Sequence, residues 1–248
     1  MTIAILSAMA EENDTLLPHM RDVQSSQIGR RTYHQGALFG TPVVVVFSHW
    51  GKVAAASTAA VLISHFKVDE IIFTGVAGAI DATLNVGDVV VGSDLYQHDM
   101  DARPLIERHE IPLLGMTAMP SDLKRRAQLA DAAQRFISVE LPTVLAQDVV
   151  DSFRLHAPKV VTAAIASGDQ FISSQESVDD LRARLSDVAC VEMEGGSVAQ
   201  VCTEFGVPFS VVRTISDAAD EAAPIDFPRF IKDVARQYSL GIIKNLIS

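Results

Sequence analysis

Carboxylate side chains stand directly after apolar runs at three places in this 248-residue sequence, where buried strands would end. A carboxylate at such a position can accept hydrogen bonds from sugar hydroxyls, take a proton from water, or give a proton to a leaving group. Their types and spacing make five residues the first candidates for chemistry: Glu11, Glu12, Glu192, Glu194 and Asp217.

Glu192 and Glu194 flank Met193 directly after the apolar run 188–191. In an extended segment both side chains would point to the same face. Two carboxylates on one face repel each other, and a ribose diol could offset this because an ionised carboxylate accepts two hydroxyl donors. From these residues alone, sugar binding and a purely structural role are both open.

Asp217 follows Ser216 at the end of the apolar run 208–215. It could cap the N-terminus of a helix, or it could donate a proton to a ring nitrogen of a purine and so make the base a better leaving group. Arg213 lies inside the same apolar run. A buried guanidinium needs anionic partners, which the acids named above would supply.

Glu11 and Glu12 open a helix after the first strand. Acidic residues in a first helical turn complement the helix dipole, and we prefer this interpretation for Glu11. The segment 74–78 (TGVAG) predicts a glycine turn at a strand end, either purely structural or bringing the backbone close to a ligand. It lacks the GxGxxG spacing of a dinucleotide site, which disfavours an NAD-linked oxidoreductase.

Short β-branched runs alternate with helical patterns along the chain, and ligands of such sheets bind beyond the carboxyl ends of the strands. The pattern predicts one α/β domain over 1–248 with a central mixed, mostly parallel sheet, a hairpin turn at 39–41 and a long loop over 96–120. Strands are predicted at about 2–7, 31–38, 42–48, 70–75, 87–93, 160–166, 188–192 and 208–215, and helices at about 51–65, 121–138, 177–185, 194–205 and 227–246.

Composition excludes several classes of partner. The net charge of −11 argues against sequence-independent nucleic-acid binding, which needs a basic surface. No apolar run approaches the roughly 20 residues that span a bilayer, and the acidic start makes a poor signal peptide. Cys190 and Cys202 are too few for a disulfide framework or a metal site, so we expect small buried side chains. We therefore expect a cytoplasmic protein that acts on neither nucleic acid nor membranes.

The same residues lie in motifs that occur together, and in this order, in one known family. The chain resembles the 5'-methylthioadenosine/S-adenosylhomocysteine nucleosidases of the nucleoside phosphorylase superfamily over essentially its whole length. TGxAG and GDVVV alone occur across that superfamily, whereas the full series is specific. The motifs are SAMAEE (7–12), GKVAAA (51–56), TGVAGA (74–79), VGDVVV (86–91), QHD (97–99), SGDQFI (167–172), VEMEGGSVA (191–199) and VPFSVVRTISDAAD (207–220).

The resemblance implies a three-layer α/β/α sandwich, a homodimer whose partner loop helps to close the pocket, and no metal or cofactor. It implies that Glu12 activates the attacking water and that Asp217, held by Ser216, protonates the adenine. Glu194 would bind the ribose hydroxyls, with Met193 packed beneath the sugar.

The remaining site residues are also carried over from the resemblance. Glu192 would lie near the ribose, and Arg213 would help to hold water and carboxylates. Phe171 would stack on adenine while the backbone of Ile172 reads its edge. The 5'-alkylthio pocket would be lined by Met9, Trp50 and Phe227.

Two positions and one segment depart from the family's pattern. Val76 stands where the family has a serine or threonine whose hydroxyl helps to position the water, so the rate is in question. Trp50 replaces a smaller aliphatic residue and should narrow the 5' pocket, which predicts a preference for methylthioadenosine over the bulkier homocysteine derivative. The segment 96–120 also differs, so the wall that the partner would contribute is not predicted.

Three other functions fit the same scaffold. A nucleoside phosphorylase would need a cationic, glycine-rich phosphate cradle, whereas the first strand here ends in Glu11 and Glu12. An aminofutalosine nucleosidase would need room for a large polar 5' group, against which Trp50 argues. A binding protein without catalytic activity is favoured only by Val76.

Overall fold

A computed structural model of the chain describes residues 1–217, 219 and 223–248, the last range beginning with four residues described by their backbone only. The strands are β1 (Ile3–Ser7), β2 (Met20–Ile28), β3 (Arg31–Leu38), β4 (Thr41–Phe47), β5 (Glu70–Ala79), β6 (Val89–Gln97), β7 (Ala118–Pro120), β8 (Val160–Ser167), β9 (Val188–Glu192) and β10 (Phe209–Asp217). The helices are α1 (Ala10–Leu16), α2 (Lys52–Ser64), α3 (Leu123–Arg135), α4 (Leu141–Val144), α5 (Gln147–Phe153), α6 (Gln175–Arg184), α7 (Gly195–Phe205), α8 (Ala223–Phe230) and α9 (Arg236–Ile247). π-Helical turns at Phe136–Glu140 and Ile231–Ala235 join α3 to α4 and α8 to α9.

Helices cover both faces of the sheet because its central strands are apolar on both sides. Along β1, Ala4 and Leu6 pack into a core that includes residues of α2 and α7. Ile3 and Ile5 point the other way, into a core with residues of α1 and α9. Because successive side chains of a strand point to opposite faces, one apolar strand can pack against the helical layers on both faces of the sheet.

Part of the sheet closes on itself. The strand order is β10-β6-β8-β9-β5-β1-β4-β3-β2, and β10 also pairs with β5, so that β5, β9, β8, β6 and β10 form a ring. The α/β fold is therefore confirmed, with a closure that an open three-layer sandwich does not have. The predicted mixed sheet is confirmed: among the described residues, five of the ten pairings are parallel and five are antiparallel. Two of the antiparallel pairings, β6–β10 and β5–β9, are part of the ring. The hairpins β2–β3 and β3–β4 contribute two more.

All eight predicted strands and all five predicted helices are present. The predicted hairpin turn is confirmed, with Phe39 and Gly40 both at positive φ between β3 and β4. β2 escapes prediction because its sequence, MRDVQSSQI, has no apolar run; the strand lies exposed at the sheet edge. β7 and α5 are also additional to the prediction, and each is short. None of the helices in the described ranges combines the length and apolarity that crossing a bilayer requires.

The predicted glycine turn at 74–78 is wrong. β5 continues through this segment to Ala79, since β10 pairs with it as far as Gly78 and β9 pairs at Gly78 and Ala79. Neighbours on both sides satisfy the backbone groups and keep the glycines extended. The glycines instead leave room for side chains of β10, as described below.

Candidate active site

A cavity of about 240 Å³ opens at the carboxyl ends of β1, β5, β9 and β10, beside the segment that follows β8. This is where ligands bind in α/β sheets. Ten of the twelve residues predicted for the site line it: Met9, Trp50, Phe171, Ile172, Glu192, Met193, Glu194, Ser216, Asp217 and Phe227. Glu12 and Arg213 are buried and do not line it.

Asp217 is the last residue of β10, and the next described helix, α8, begins only at Ala223, so Asp217 does not cap that helix. The Ser216 hydroxyl donates to Asp217 Oδ2 at 2.6 Å, and the backbone N–H of Ala219 donates to Oδ1 at 2.8 Å. A Cβ at Gly78 would stand 3.0 Å from the same Oδ1. The absence of a side chain at Gly78 therefore leaves space for this carboxyl group at the cavity wall.

Glu192 is held by protein groups on both of its carboxylate oxygens. Oε2 pairs with Arg213 at 2.6 Å and accepts the backbone N–H groups of Glu194 and Gly195. Oε1 accepts the hydroxyl of Ser167 and the N–H of Gly195. Although Glu192 lines the cavity, its hydrogen-bonding capacity is largely taken up by the fold.

Arg213 is fully buried in β10, and the anionic partner expected for it is Glu192. Its Nη1 donates to the carbonyl oxygens of Phe73 and Val212, and the guanidinium lies 4.2 Å from the ring centre of Phe73. A Cβ at Gly75 would stand 3.2 Å from Nη1, so this glycine makes the close approach possible.

Glu194 precedes α7 and receives a hydrogen bond from the start of α2. The N–H of Gly51 donates to Glu194 Oε1 at 2.8 Å. Burial raises the pKa of Glu194 to about 7, the charge of Glu192 adds to the rise, and the Gly51 bond and Arg213 oppose it. The backbone N–H of Met193 also lowers this pKa through a hydrogen bond, and because Gly51 engages Oε1 we expect Oε2 to meet a ligand.

Glu12 lies in the first turn of α1 and is fully buried. The Ser239 hydroxyl donates to its Oε1, and Ser239 Oγ lies 2.7 Å from Thr74 Oγ1. Among the described residues, Oε2 has no hydrogen-bond partner. Burial raises the pKa of Glu12 to about 7, against the lowering effects of Ser239 and Arg213. A carboxylate with such a pKa is suited to take a proton near neutral pH.

Aromatic side chains form the apolar wall of the cavity. Phe171, after β8, meets Phe227 of α8 edge to face with ring centres 6.1 Å apart. Trp50 donates its indole N–H to the carbonyl of Ala8 at 3.1 Å, and 66% of its surface is exposed. Flat apolar surfaces of this kind suit an aromatic base at one end and an apolar substituent at the other.

An ion-pair cluster ties the segment that carries Phe171 to the start of α2. Lys52 Nζ lies 2.6 Å from Asp99 Oδ1, and Asp99 Oδ2 accepts the N–H of Asp169. Asp169 Oδ1 accepts the N–H of Lys52 at 2.7 Å. These contacts hold two walls of the cavity together.

The charged side chains among the described lining residues of the cavity are all acids. None of its described lining residues is a lysine, arginine or histidine. The buried cation Arg213 pairs with Glu192 and donates to two carbonyl groups. In the described parts of the chain, no group of three His, Cys, Asp or Glu side chains is arranged to hold a metal ion.

Sequence reasoning missed Gly51 and Ser239, although each carries a signal. Gly51 opens the GKVAAA motif, and its φ of 88° is one that favours glycine. Ser239 is a polar residue on the buried side of α9, next to Tyr238 and three positions before Ile242. A serine in an apolar helical stripe indicates a buried partner, because a lone hydroxyl is costly to bury. Gln170, Ala77 and Val191 also line the cavity.

Comparison with known proteins gives a consistent result. The model of the phosphorylase superfamily matches residues 2–248. The 5'-methylthioadenosine/S-adenosylhomocysteine nucleosidase of Colwellia psychrerythraea is 36% identical, covering 99% of this chain and 96% of that protein. The Neisseria meningitidis nucleosidase in complex with methylthio-immucillin-A superposes with a TM-score of 0.87 at 32% identity, covering 99% of this chain and 98% of that one. The futalosine hydrolase of Helicobacter pylori gives a TM-score of 0.84 at 31% identity, with coverages of 99% and 97%.

Proposed function

This chain belongs to the 5'-methylthioadenosine/S-adenosylhomocysteine nucleosidase family within the phosphorylase superfamily, and we propose that it hydrolyses the N-glycosidic bond of 5'-methylthioadenosine. S-adenosylhomocysteine is a second, poorer substrate. The products are adenine and the 5-alkylthioribose. The observation that carries the proposal is a cavity whose described lining includes Asp217 beside the hydroxyl donor Ser216, and in which no described lining residue is a cation.

Asp217 acts on the leaving group. Its carboxyl group gives a proton to a ring nitrogen of adenine as the bond between that base and the sugar breaks. Ser216 and the N–H of Ala219 hold the carboxyl group in place. Protonation matters because an anionic purine is a poor leaving group, and such a proton transfer contributes about 10²- to 10⁴-fold to the rate.

Glu12 acts on the water. Glu12 takes a proton as the water oxygen bonds to the anomeric carbon. Adenine leaves with the electron pair of the broken N-glycosidic bond. The sugar passes through an oxocarbenium-like state, which nearby carboxylates stabilise. Glu194 accepts hydrogen bonds from the ribose hydroxyls through its second oxygen. Arg213 does not contact the substrate and acts by balancing the charge of Glu192.

The other side chains bind the two ends of the nucleoside. Phe171 stacks on adenine, whose edge meets the backbone of Ile172, and Met193 packs beneath the sugar. Met9, Trp50 and Phe227 surround the 5' substituent. All five side chains line the cavity.

Water rather than phosphate is the nucleophile. A phosphate ion would need cationic or backbone donors, and the lining offers Glu192, Glu194 and Asp217 instead. The test is an adenine-release assay on methylthioadenosine with and without inorganic phosphate. Phosphate-independent release with free alkylthioribose as product supports the proposal, whereas strict phosphate dependence with a sugar-1-phosphate product would overturn it.

Futalosine hydrolysis is the second candidate, since a hydrolase of that substrate superposes on the chain about as well as nucleosidases do. Trp50 at the cavity wall disfavours the large polar 5' group. The same assay with aminofutalosine, S-adenosylhomocysteine and inosine as parallel substrates separates the candidates. Faster release from aminofutalosine than from methylthioadenosine would favour the second one.

The active form is a homodimer. Large apolar side chains are exposed on α2 and in the segment after β6, among them Val53, Leu105 and Leu113. The Lys52–Asp99 ion pair brings the starts of these two regions together near the cavity. Sedimentation analysis at assay concentration should give twice the mass of the chain, and a monomer with full activity would contradict the proposal.

A further inference from the structure

Glu12 is part of a buried chain of hydroxyl groups that the proposed reaction does not itself require. Thr74 of β5, Ser239 of α9 and Glu12 of α1 are each at most 3% exposed. Ser239 donates to Glu12 Oε1, so its oxygen accepts from Thr74, which lies 2.7 Å away. Three elements that are distant in sequence thus meet at one carboxylate.

The hydroxyl chain leaves the two oxygens of Glu12 in different environments. Oε1 is taken by Ser239, while Oε2 has no partner among the described residues. A buried carboxylate oxygen without a donor is costly unless a ligand or water meets it. This difference indicates that Oε2 takes the proton from water, while the bond to Oε1 orients the Glu12 carboxylate.

On its β5 side, the cavity wall beside the hydroxyl chain supplies no side-chain hydrogen-bond donor. Val76 lies two residues after Thr74 in β5, on the same side of the strand, and lines the cavity with methyl groups. The charged groups that act on Glu12 are Arg213 from β10 and Glu11 from α1 itself. The backbone N–H of Met9 also lowers the pKa of Glu12 through a hydrogen bond, and Ser239 is the one side chain among the described residues that donates to this carboxylate.

We infer that Ser239, supported by Thr74, is the positioning residue for the base of the reaction, holding Glu12 by Oε1 so that Oε2 faces the attacking water. This rests on the function proposed above. It places a residue of the C-terminal helix in control of proton transfer without contact to the substrate. The Ser239 bond also lowers the pKa of Glu12 and so opposes the rise caused by burial.

The test compares Ser239→Ala with Ser210→Ala. Ser210 is also a buried serine, and its hydroxyl has no partner among the described residues, so its loss leaves Glu12 untouched. Ser239→Ala should lower kcat by about tenfold or more with little change in KM, as expected for loss of a hydrogen bond to a charged group. The acid limb of kcat/KM should move to higher pH. Ser239→Thr should restore much of kcat.

Two further measurements distinguish a failure of this inference from a folding defect and from a failure of the proposed function. If Ser239→Ala does not fold, Thr74→Val should shift the acid limb in the same direction by a smaller amount. A carboxyl ¹³C titration, with Glu12 assigned by Glu12→Gln, reads the Glu12 pKa even if no substrate is turned over, which separates this inference from the proposed function. An unchanged kcat and an unchanged Glu12 titration in a folded Ser239→Ala protein would overturn the inference.

Discussion

Arg213 Nη2 lies 2.6 Å from Glu192 Oε2 in an ion pair that is buried on both sides. Glu192 lines the cavity, yet its oxygens also accept a hydroxyl and two backbone N–H groups. Of the two acids that flank Met193, Glu192 therefore supports the site and Glu194 is left to meet the ligand. The remaining charge on Glu192 still raises the pKa of Glu194.

Glu192→Gln should destabilise the fold. The change leaves the Arg213 guanidinium buried without its anion, and breaking a buried ion pair from one side costs about 3–5 kcal/mol. Urea unfolding measures the loss. Asp180→Asn, which breaks the exposed Asp180–Arg184 pair, is the control and should have a much smaller effect. Equal losses in the two variants would contradict the structural role of Glu192.

Activity should fall as the pH drops through about 7. The pKa values of Glu12 and Glu194 are both raised to about 7, and both groups must be ionised to accept a proton or ribose hydroxyls. The pH profile of kcat/KM measures this. An acid limb near the ordinary glutamate value of about 4.3 would show that neither raised pKa governs the reaction.

Stability should change with pH in the opposite sense. A carboxyl group whose folded pKa is above its unfolded value binds more protons when folded, so its contribution is complete below about pH 4.5 and lost as the pH rises through about 7. For Glu12 the loss is on the order of 3 kcal/mol. Urea unfolding between pH 5 and 8 should show a shallower decline in Glu12→Gln than in the wild type. Parallel declines would contradict the assignment.

Asp217→Asn should reduce turnover by at least about 100-fold, because an amide cannot give up the proton that the leaving base needs. Binding of methylthioadenosine should be retained. Trp50 is the only tryptophan in the chain and lines the cavity, so its fluorescence can report binding of methylthioadenosine to the inactive variant. Asp131→Asn, an exposed change on α3, is the control. Near-normal turnover in Asp217→Asn would remove this residue from the mechanism.

Trp50→Leu should relax the choice of 5' substituent. The wild type should prefer methylthioadenosine to S-adenosylhomocysteine, since the indole is held over the cavity by its bond to the Ala8 carbonyl. A smaller side chain should improve the ratio of kcat/KM values for the homocysteine derivative by about tenfold. Leu123→Ala, which removes an exposed apolar side chain on α3 outside the lining and outside the surface proposed for the dimer, is the control and should leave this ratio unchanged. Comparable turnover of both substrates by the wild type would contradict the prediction.

The sequence alone brought the acids after the strands to the cavity, because apolar runs mark strands and the carboxyl ends of strands share one region of the molecule, whereas the aromatic lining came from the family resemblance. Glu194 and Asp217 follow from that rule, and so does the need of Arg213 for an anion. Which acid pairs with Arg213 was decided only by the tertiary structure. So was the extension of β5 through Gly75 and Gly78, since pairing with strands distant in sequence overrides the turn preference of glycine.

The contact between Ser239 and Glu12 shows most clearly what the sequence alone does not predict. The two residues are 227 positions apart and meet because α1 and α9 pack on the same face of the sheet. No local pattern reports a distance of that kind. The types and spacing of residues thus determined the chemistry available to this protein. Long-range packing decided which oxygen of Glu12 is held by Ser239 and which has no hydrogen-bond partner among the described residues.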